Sequence, residues 1–207
     1  LQEPVRMVIS YVQLLQRRYA GRLAPEADEF IGYAVEGGQR MRTLLADIQQ
    51  YVSLEAGPPE EVDCNHVLRQ AMIQLDPSLK AAGAVVEADA LPMVRGHGRQ
   101  LALVFLNLLD NAVKYRRPDQ QPRIRISANR LRDEWRFVVE DNGLGVPAEY
   151  AEIVFSLFKR LHSRAAITGN GMGLAVCRKI VGMHGGRIWL EPRAGMGATF
   201  VFILPVR

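Results

Sequence analysis

The sequence is poor in the residues that mark metal-binding, disulfide-built and membrane-spanning proteins. It has only two cysteines, Cys64 and Cys177, far apart and without CxxC spacing or a histidine partner pattern. Neither a zinc site nor a disulfide framework is supported, and both thiols read as small buried hydrophobes in a reducing compartment, the cytoplasm. The four histidines are scattered. His66 and His184 sit at helix ends, His97 lies between glycines and His162 in a loop, so each reads as local structure or surface. No apolar run approaches the length of a membrane span and no signal peptide opens the chain, so no membrane segment is expected within it. Charge of one sign is also scarce: 26 basic against 22 acidic residues leave a net +4. That excess suits a nucleotide but is too small and dispersed for a nucleic-acid groove, so no nucleic acid is expected as partner.

What remains is an ordinary core-forming composition. The 207 residues are 48% hydrophobic and 23% charged, enough for one or two domains. Residues 1–19 place Val5, Val8, Ile9, Val12, Leu15 and Tyr19 three and four apart, a helical stripe. Pro4 falls where an opening helical turn tolerates it. The chain begins inside this helical pattern, so it is expected to be part of something longer. After Gly21 and Pro25, residues 26–54 form a second helix with Phe30, Tyr33, Val35, Met41, Leu44, Leu45, Ile48, Tyr51 and Val52 as its apolar set. Two helices and a short loop make an antiparallel hairpin. Its stripe is too broad for one hairpin to bury, which points to pairing with a second copy in a four-helix bundle; packing on the rest of its own chain is the alternative.

Gly57-Pro58-Pro59 marks a boundary. Beyond it, strands are expected at 61–64, 85–88, 123–130, 134–141, 187–191 and 199–204. Helices are expected from an Asn65 N-cap to about residue 75, over 99–115 and over 172–184, the last ended by Gly185-Gly186. Alternation at Ile124/Ile126 and Phe137/Val139 predicts a largely antiparallel sheet with helices on one face. The fold class is therefore α+β: a helical hairpin (residues 1–56) followed by an α/β sandwich domain (60–207).

The stretch VVEDNGLGVP, residues 138–147, runs a strand into Asp141 and then two glycines. Glycines at 143 and 145 let backbone approach a flat ligand, and the Asp141 carboxylate can accept from an exocyclic amine. The same letters also fit a tight turn closed by an Asx hydrogen bond. In NLLDNAVKY, Asn107, Asn111 and Lys114 recur at helical spacing and share one face. Two amide oxygens and an ammonium suit a hydrated Mg²⁺ and a phosphate chain, and Tyr115 could lie on a purine; a solvated helix face is the alternative. Gly169-Asn170-Gly171-Met172-Gly173-Leu174 precedes a helix, where backbone N–H groups attract anions. Residues 146–168 between these glycine clusters, with Phe155, Phe158, Lys159, Arg160 and Arg164, read as a lid. Gly195-Met196-Gly197-Ala198-Thr199-Phe200 is either a hairpin turn or a fourth ligand segment.

In this order the segments resemble the catalytic core of sensor histidine kinases over almost the whole chain. NLLDNAVKY looks like that family's N box, DNGLG its G1 box, FSLFKRL its F box, TGNGMGL its G2 box and GMGATF its G3 box. The resemblance implies a Bergerat-type ATP site. Asp141 would hold the adenine amine, Asn111 the Mg²⁺, and Asn107 and Lys114 the phosphates. Gly143, Gly145, Gly169, Gly171 and Gly173, with Leu174 beside them, would shape the lid. Arg160 would reach the γ-phosphate, and Thr199 would sit near the adenine through a water. The implied catalytic set is Asn107, Lys114 and Arg160; the cofactors are ATP and Mg²⁺. The partners are a second copy through residues 1–56 and a response-regulator receiver domain.

The front hairpin resembles the family's dimerisation and phosphotransfer domain, and LQEPVRM looks like the phytochrome-type variant. There the phosphoacceptor His and a following Asp directly precede Leu-Gln-Glu-Pro, so both would fall just upstream of Leu1. The position where relatives with phosphatase activity carry Thr or Asn is held by Glu3, which is poorly suited to orienting water. An ATP-binding dimer that signals without phosphotransfer stays open beside the kinase reading, as does a gyrase-type or chaperone-type ATPase. An anti-sigma-type serine kinase would lack the long front hairpin.

Overall fold

The computed structural model describes residues 2–52, 57–159, 161, 170–191 and 197–206. The chain divides into two compact units, Leu1–Ser53 and Leu54–Arg207.

The first unit is a helical hairpin of α1 (Gln2–Tyr19) and α2 (Pro25–Val52). The loop is closed by Asp28, whose carboxylate accepts from the Gly21 N–H at 2.9 Å. The two helices pack tightly at Gly38, where a Cβ would meet Ile9 at 2.6 Å. Ile9 and Val35 are buried, while Val8, Tyr11, Leu14, Leu15, Phe30, Tyr33 and Met41 stay exposed. Of the stripe expected on α1, then, the hairpin by itself buries Ile9 fully and leaves Val8, Leu15 and Tyr19 in the open.

The second unit contains β1 (Glu60–Asp63), α3 (Cys64–Ala82), β2 (Val85–Ala88), β3 (Met93–Gly96), α4 (Gly98–Lys114), β4 (Arg123–Leu131) and β5 (Glu134–Asp141). Two short 3₁₀ turns (Ala148–Tyr150 and Ile153–Phe155), α5 (Gly173–Met183), β6 (Arg187–Glu191) and β7 (Thr199–Pro205) follow. The main sheet has the order β2-β4-β5-β7-β6, parallel only between β2 and β4; β1 and β3 pair separately and antiparallel. Both the α+β class and the antiparallel bias expected from the sequence are found.

The core lies between this sheet and α3, α4 and α5. Phe137 and Phe202 stack with centroids 4.6 Å apart, and Phe105 of α4 meets both edge-on at 6.3 and 5.9 Å. Aromatic pairs in these geometries add to the area they bury. Along β7, both faces are buried from Thr199 to Leu204, more than one-sided alternation predicts. On the face away from the helices Arg136 donates to Glu191 at 2.8 Å, Trp189 donates to the same carboxylate at 3.2 Å, and the Arg187 guanidinium lies 5.6 Å from the Trp189 ring centroid.

Three local expectations are corrected. The α3 cap is Asp63, whose Oδ1 accepts from the Asn65 N–H at 2.8 Å. Asn65 instead clasps the loop before β3, donating to Leu91 O at 2.7 Å and accepting from Leu91 N–H at 2.9 Å. The helix continues past residue 75, with Pro77 inside it. Pro77 faces solvent, and buried Leu79 with the left-handed Gly83 cap (φ +62°) holds the final turn, so packing outweighs a penalty of about 3 kcal/mol. Strand β3 was not foreseen, because Met-Val-Arg-Gly is too short and too little patterned to stand out.

Candidate nucleotide site

Helix α4 is amphipathic. Leu101, Val104, Phe105, Leu108, Leu109, Ala112 and Val113 are buried, leaving Asn107, Asn111 and Lys114 on the opposite side. Asn107 is fixed by a bond from its Nδ2 to Leu103 O at 2.9 Å. Its Oδ1 lies against the start of α5, where a Cβ on Gly173 would come within 2.8 Å of it. The glycine therefore lets α5 reach the polar face of α4. Asp110, not anticipated as a site residue, completes that face and pairs with the Lys114 ammonium. Its place three residues after Asn107 and four before Lys114 was the available signal.

Asp141 ends β5 beside the glycines. Its Oδ1 accepts from Gly143 N–H at 2.8 Å and from Ala198 N–H at 3.1 Å. Among the described residues no donor reaches Oδ2, so that oxygen can take a donor from outside the protein. Burial pushes the carboxyl above its ordinary range, partly offset by those two N–H donors. The backbone runs very close here. A Cβ on Gly197 (φ +81°) would fall 1.8 Å from Asp141 O, and one on Gly145 (φ +75°) 2.8 Å from Gly197 O. Only glycine satisfies both the space and the left-handed backbone.

The loop carrying Asp141 is tied to the segment after α4. Leu144 N–H donates to Tyr115 O at 2.9 Å, and Arg117 Nε donates to Gly143 O at 3.0 Å. The Asn142 side chain accepts from Arg123 N–H at 2.8 Å and donates to Gln121 O at 2.9 Å. Asn142 is thus structural. On the far side, Phe158, in a left-handed conformation (φ 62°), donates its N–H to Gly171 O at 3.0 Å and joins the F-box segment to the glycines before α5. Leu174 lies in the first turn of α5.

Thr199 does not join this group. Its register partners are Glu140 and Glu191, whereas Asp141 exchanges bonds with Ala198. Successive strand side chains alternate, so Thr199 faces away from Asp141; its Oγ1 is buried without a hydrogen-bond partner among the described residues. Counting back from Phe200, which faces the core, would have selected Ala198. The expected contributions of Arg160 and Gly169 lie outside the described residues, as do His162, Gly195 and Met196.

The donors fit a nucleotide. They combine a half-buried carboxylate with one oxygen available, glycine walls, and an amide-ammonium helix face. Among the described residues no group of three or more His, Cys, Asp or Glu side chains could hold a metal. The oxygen donors at Asn111 and Asp110 fit a Mg²⁺ held mainly by water and phosphate.

Residues 96–207 match the family of histidine kinase-, DNA gyrase B- and HSP90-like ATPases, and the chain belongs to it. Within that family it is a sensor histidine kinase ATP-binding core. All of it is 43% identical over 208 residues to cyanobacterial phytochrome A of Nostoc sp. (strain PCC 7120 / SAG 25.82 / UTEX 2576), covering 27% of that protein. The chain thus spans about a quarter of the length of the curated relatives it matches, 27% and 28% of the first two. Among solved structures, the mycobacterial sensor histidine kinase MprB overlays 72% of the chain and 98% of its own with a TM-score of 0.63 at 26% identity. Histidine kinase ThkA, in complex with response regulator TrrA, shares the fold over 99% of this chain and 59% of its own, with a TM-score of 0.69 at 23% identity. No helix among the described residues is long and apolar enough to cross a membrane.

Proposed function

We propose that the chain is the ATP-dependent protein-histidine kinase core of a two-component sensor. Residues 60–207 would bind ATP, and residues 1–56 would form the dimerisation and phosphotransfer hairpin. The observation that carries the reading is the half-buried Asp141 carboxylate, with one oxygen engaged by two backbone N–H groups and the other without a donor among the described residues. The open oxygen accepts the adenine amine. Asn107 and Lys114 bind phosphate oxygens, and Lys114 must then share its ammonium with Asp110. Tyr115 packs on the purine, and Gly143, Gly145, Gly171 and Gly173 allow close backbone approach. The roles of Arg160 at the γ-phosphate and of Gly169 rest on the family resemblance. Mg²⁺, held by Asn111, would supply charge neutralisation on the phosphates.

Phosphoryl transfer asks the protein mainly for positioning and electrostatics. An imidazole nitrogen of a His just upstream of Leu1 attacks the γ-phosphorus, the bond to the β-phosphate oxygen breaks, and ADP leaves. The phosphoryl group then passes to an Asp of a response-regulator receiver domain, the kind of partner ThkA has in its complex. The exposed Tyr11, Leu14, Phe30, Tyr33 and Met41 support a second copy as occupant of the hairpin face. Glu3 is ion-paired with Arg6, which holds its carboxyl below the usual range. An ionised, engaged carboxylate is a poor orienter of water, so phosphatase activity is weak.

The test is incubation with γ-labelled ATP of this chain and of the same chain extended upstream through the residues before Leu1. Acid-labile, base-stable label on the longer protein alone is the expected result. Nucleotide bound by both with label on neither would identify an ATP-sensing dimer without phosphotransfer, and turnover without phosphoprotein a gyrase-type ATPase.

A further inference from the structure

We propose that Arg117 is the positioning residue that sets base selectivity, by clamping the loop that carries Asp141. This rests on the nucleotide reading above and adds a residue to it. The Gly143–Leu144 peptide is held at both ends by the segment that leaves α4. Its N–H, on Leu144, donates to Tyr115 O at 2.9 Å, and its C=O, on Gly143, accepts from Arg117 Nε at 3.0 Å. One residue back, the Gly143 N–H donates to Asp141 Oδ1 at 2.8 Å. Arg117 therefore acts on Asp141 through one intervening residue. The fit is tight, since a Cβ on Gly143 would meet Tyr115 O at 2.5 Å. The polar face of α4 and the Asp141 loop thus move together.

The consequence is specific. Asp141 accepts from an amine, which adenine presents and guanine, with a carbonyl at that place, does not. Discrimination by one acceptor depends on how firmly that acceptor is held. Releasing the Gly143 carbonyl lets the carboxylate shift, which costs ATP more than it costs a ligand without a base. Arg117 is half-buried and its fork can aim Nε along a fixed direction. A lysine at the same place supplies charge and a donor but not that geometry, so it restores function in part.

The experiment measures dissociation constants for ATP, GTP and inorganic tripolyphosphate, all with Mg²⁺, on the 207-residue chain and on Arg117→Ala and Arg117→Lys, with a thermal melt of each. In Arg117→Ala the preference for ATP over GTP falls about tenfold, the loss of one charge-assisted positioning bond. Tripolyphosphate binding changes about twofold at most by the same scale for exposed charge, and Arg117→Lys is intermediate. An unchanged ATP-to-GTP ratio in Arg117→Ala overturns the proposal, whether or not its melting temperature falls. Equal loss of all three ligands also overturns it, because that reports lost phosphate charge instead of base reading. Should Arg117→Ala not fold, Arg117→Gln carries the same comparison. A wild-type chain with no preference for ATP sinks the nucleotide reading itself, a result separable from failure of the Arg117 step.

Discussion

Replacing Asp141 with Asn separates what this side chain does for the fold from what it does for a ligand. Asn keeps an oxygen for the Gly143 and Ala198 N–H groups, now at 2.8 and 3.1 Å, and puts an NH₂ where the second carboxylate oxygen was. For the fold, the sign follows from burial, which raises the carboxyl above its ordinary 3.8. A raised folded-state value means the group favours folding below that ordinary value and loses this contribution as pH rises through the folded-state value. At neutral pH the ionised Asp141 is a cost, and Asn removes it. Asp141→Asn is therefore expected to melt no lower than wild type at pH 7, with its relative advantage shrinking towards acid pH. For the ligand, a charge-assisted bond worth about 1.5–3 kcal/mol is lost and a donor faces the adenine amine. Affinity for ATP falls at least about tenfold to a hundredfold on that scale. Calorimetric titration with Mg·ATP and melts at several pH values read both quantities. Retained ATP affinity would refute the role given to Asp141. Lost affinity together with a lower melting temperature at pH 7 would show the carboxylate to be structural.

Other expected outcomes follow from the same geometry. Asp110→Asn frees Lys114 from its ion pair and removes a negative charge beside the phosphates, so Mg-free ATP should bind severalfold tighter at low salt and the gain should fade at high salt; titration at two ionic strengths checks it. Gly197→Ala forces a Cβ to 1.8 Å from Asp141 O in a left-handed backbone, which should cost more than about 3 kcal/mol and abolish binding, as denaturant melts would show. Phe105→Ala empties the aromatic cluster at a cost of about 3–5 kcal/mol in the same melts. Burial holds His184 below its ordinary 6.5, with a smaller downward push from His97 against the raising effect of Ile180 O. Its contribution is therefore full above that value and lost as pH falls through the folded-state value. His184 Nε2 accepts from His97 N–H at 3.1 Å. The melting temperature should thus drop between pH 7.5 and 5.5, and less in His184→Gln.

Much of this arrangement was readable from pattern because it is local. Strands β2, β5 and β6 begin and end where alternation and flanking turn residues put them, and one helical face collects Asn107, Asn111 and Lys114 by spacing alone. The misreadings occur where a tertiary contact redirects a local preference. Asn65 was a fair cap by type, but Leu91 offers it two backbone bonds and Asp63 does the capping. The helix was expected to end near residue 75, yet buried Leu79 carries it on past Pro77. Thr199 was placed near the adenine by resemblance alone, and strand register turns it away from Asp141. Arg117 and Asn142 act through backbone carbonyls and N–H groups across the loop, contacts that leave no spacing signature in a sequence.

The most direct test of the account is a crystal structure of the chain with Mg·ADP. The adenine amine is expected on the Asp141 oxygen not used by Gly143 and Ala198, the phosphates along the α4 face of Asn107, Asn111 and Lys114, and the metal at the Asn111 amide oxygen. A nucleotide seated elsewhere, or one whose base makes no bond to Asp141, would contradict it.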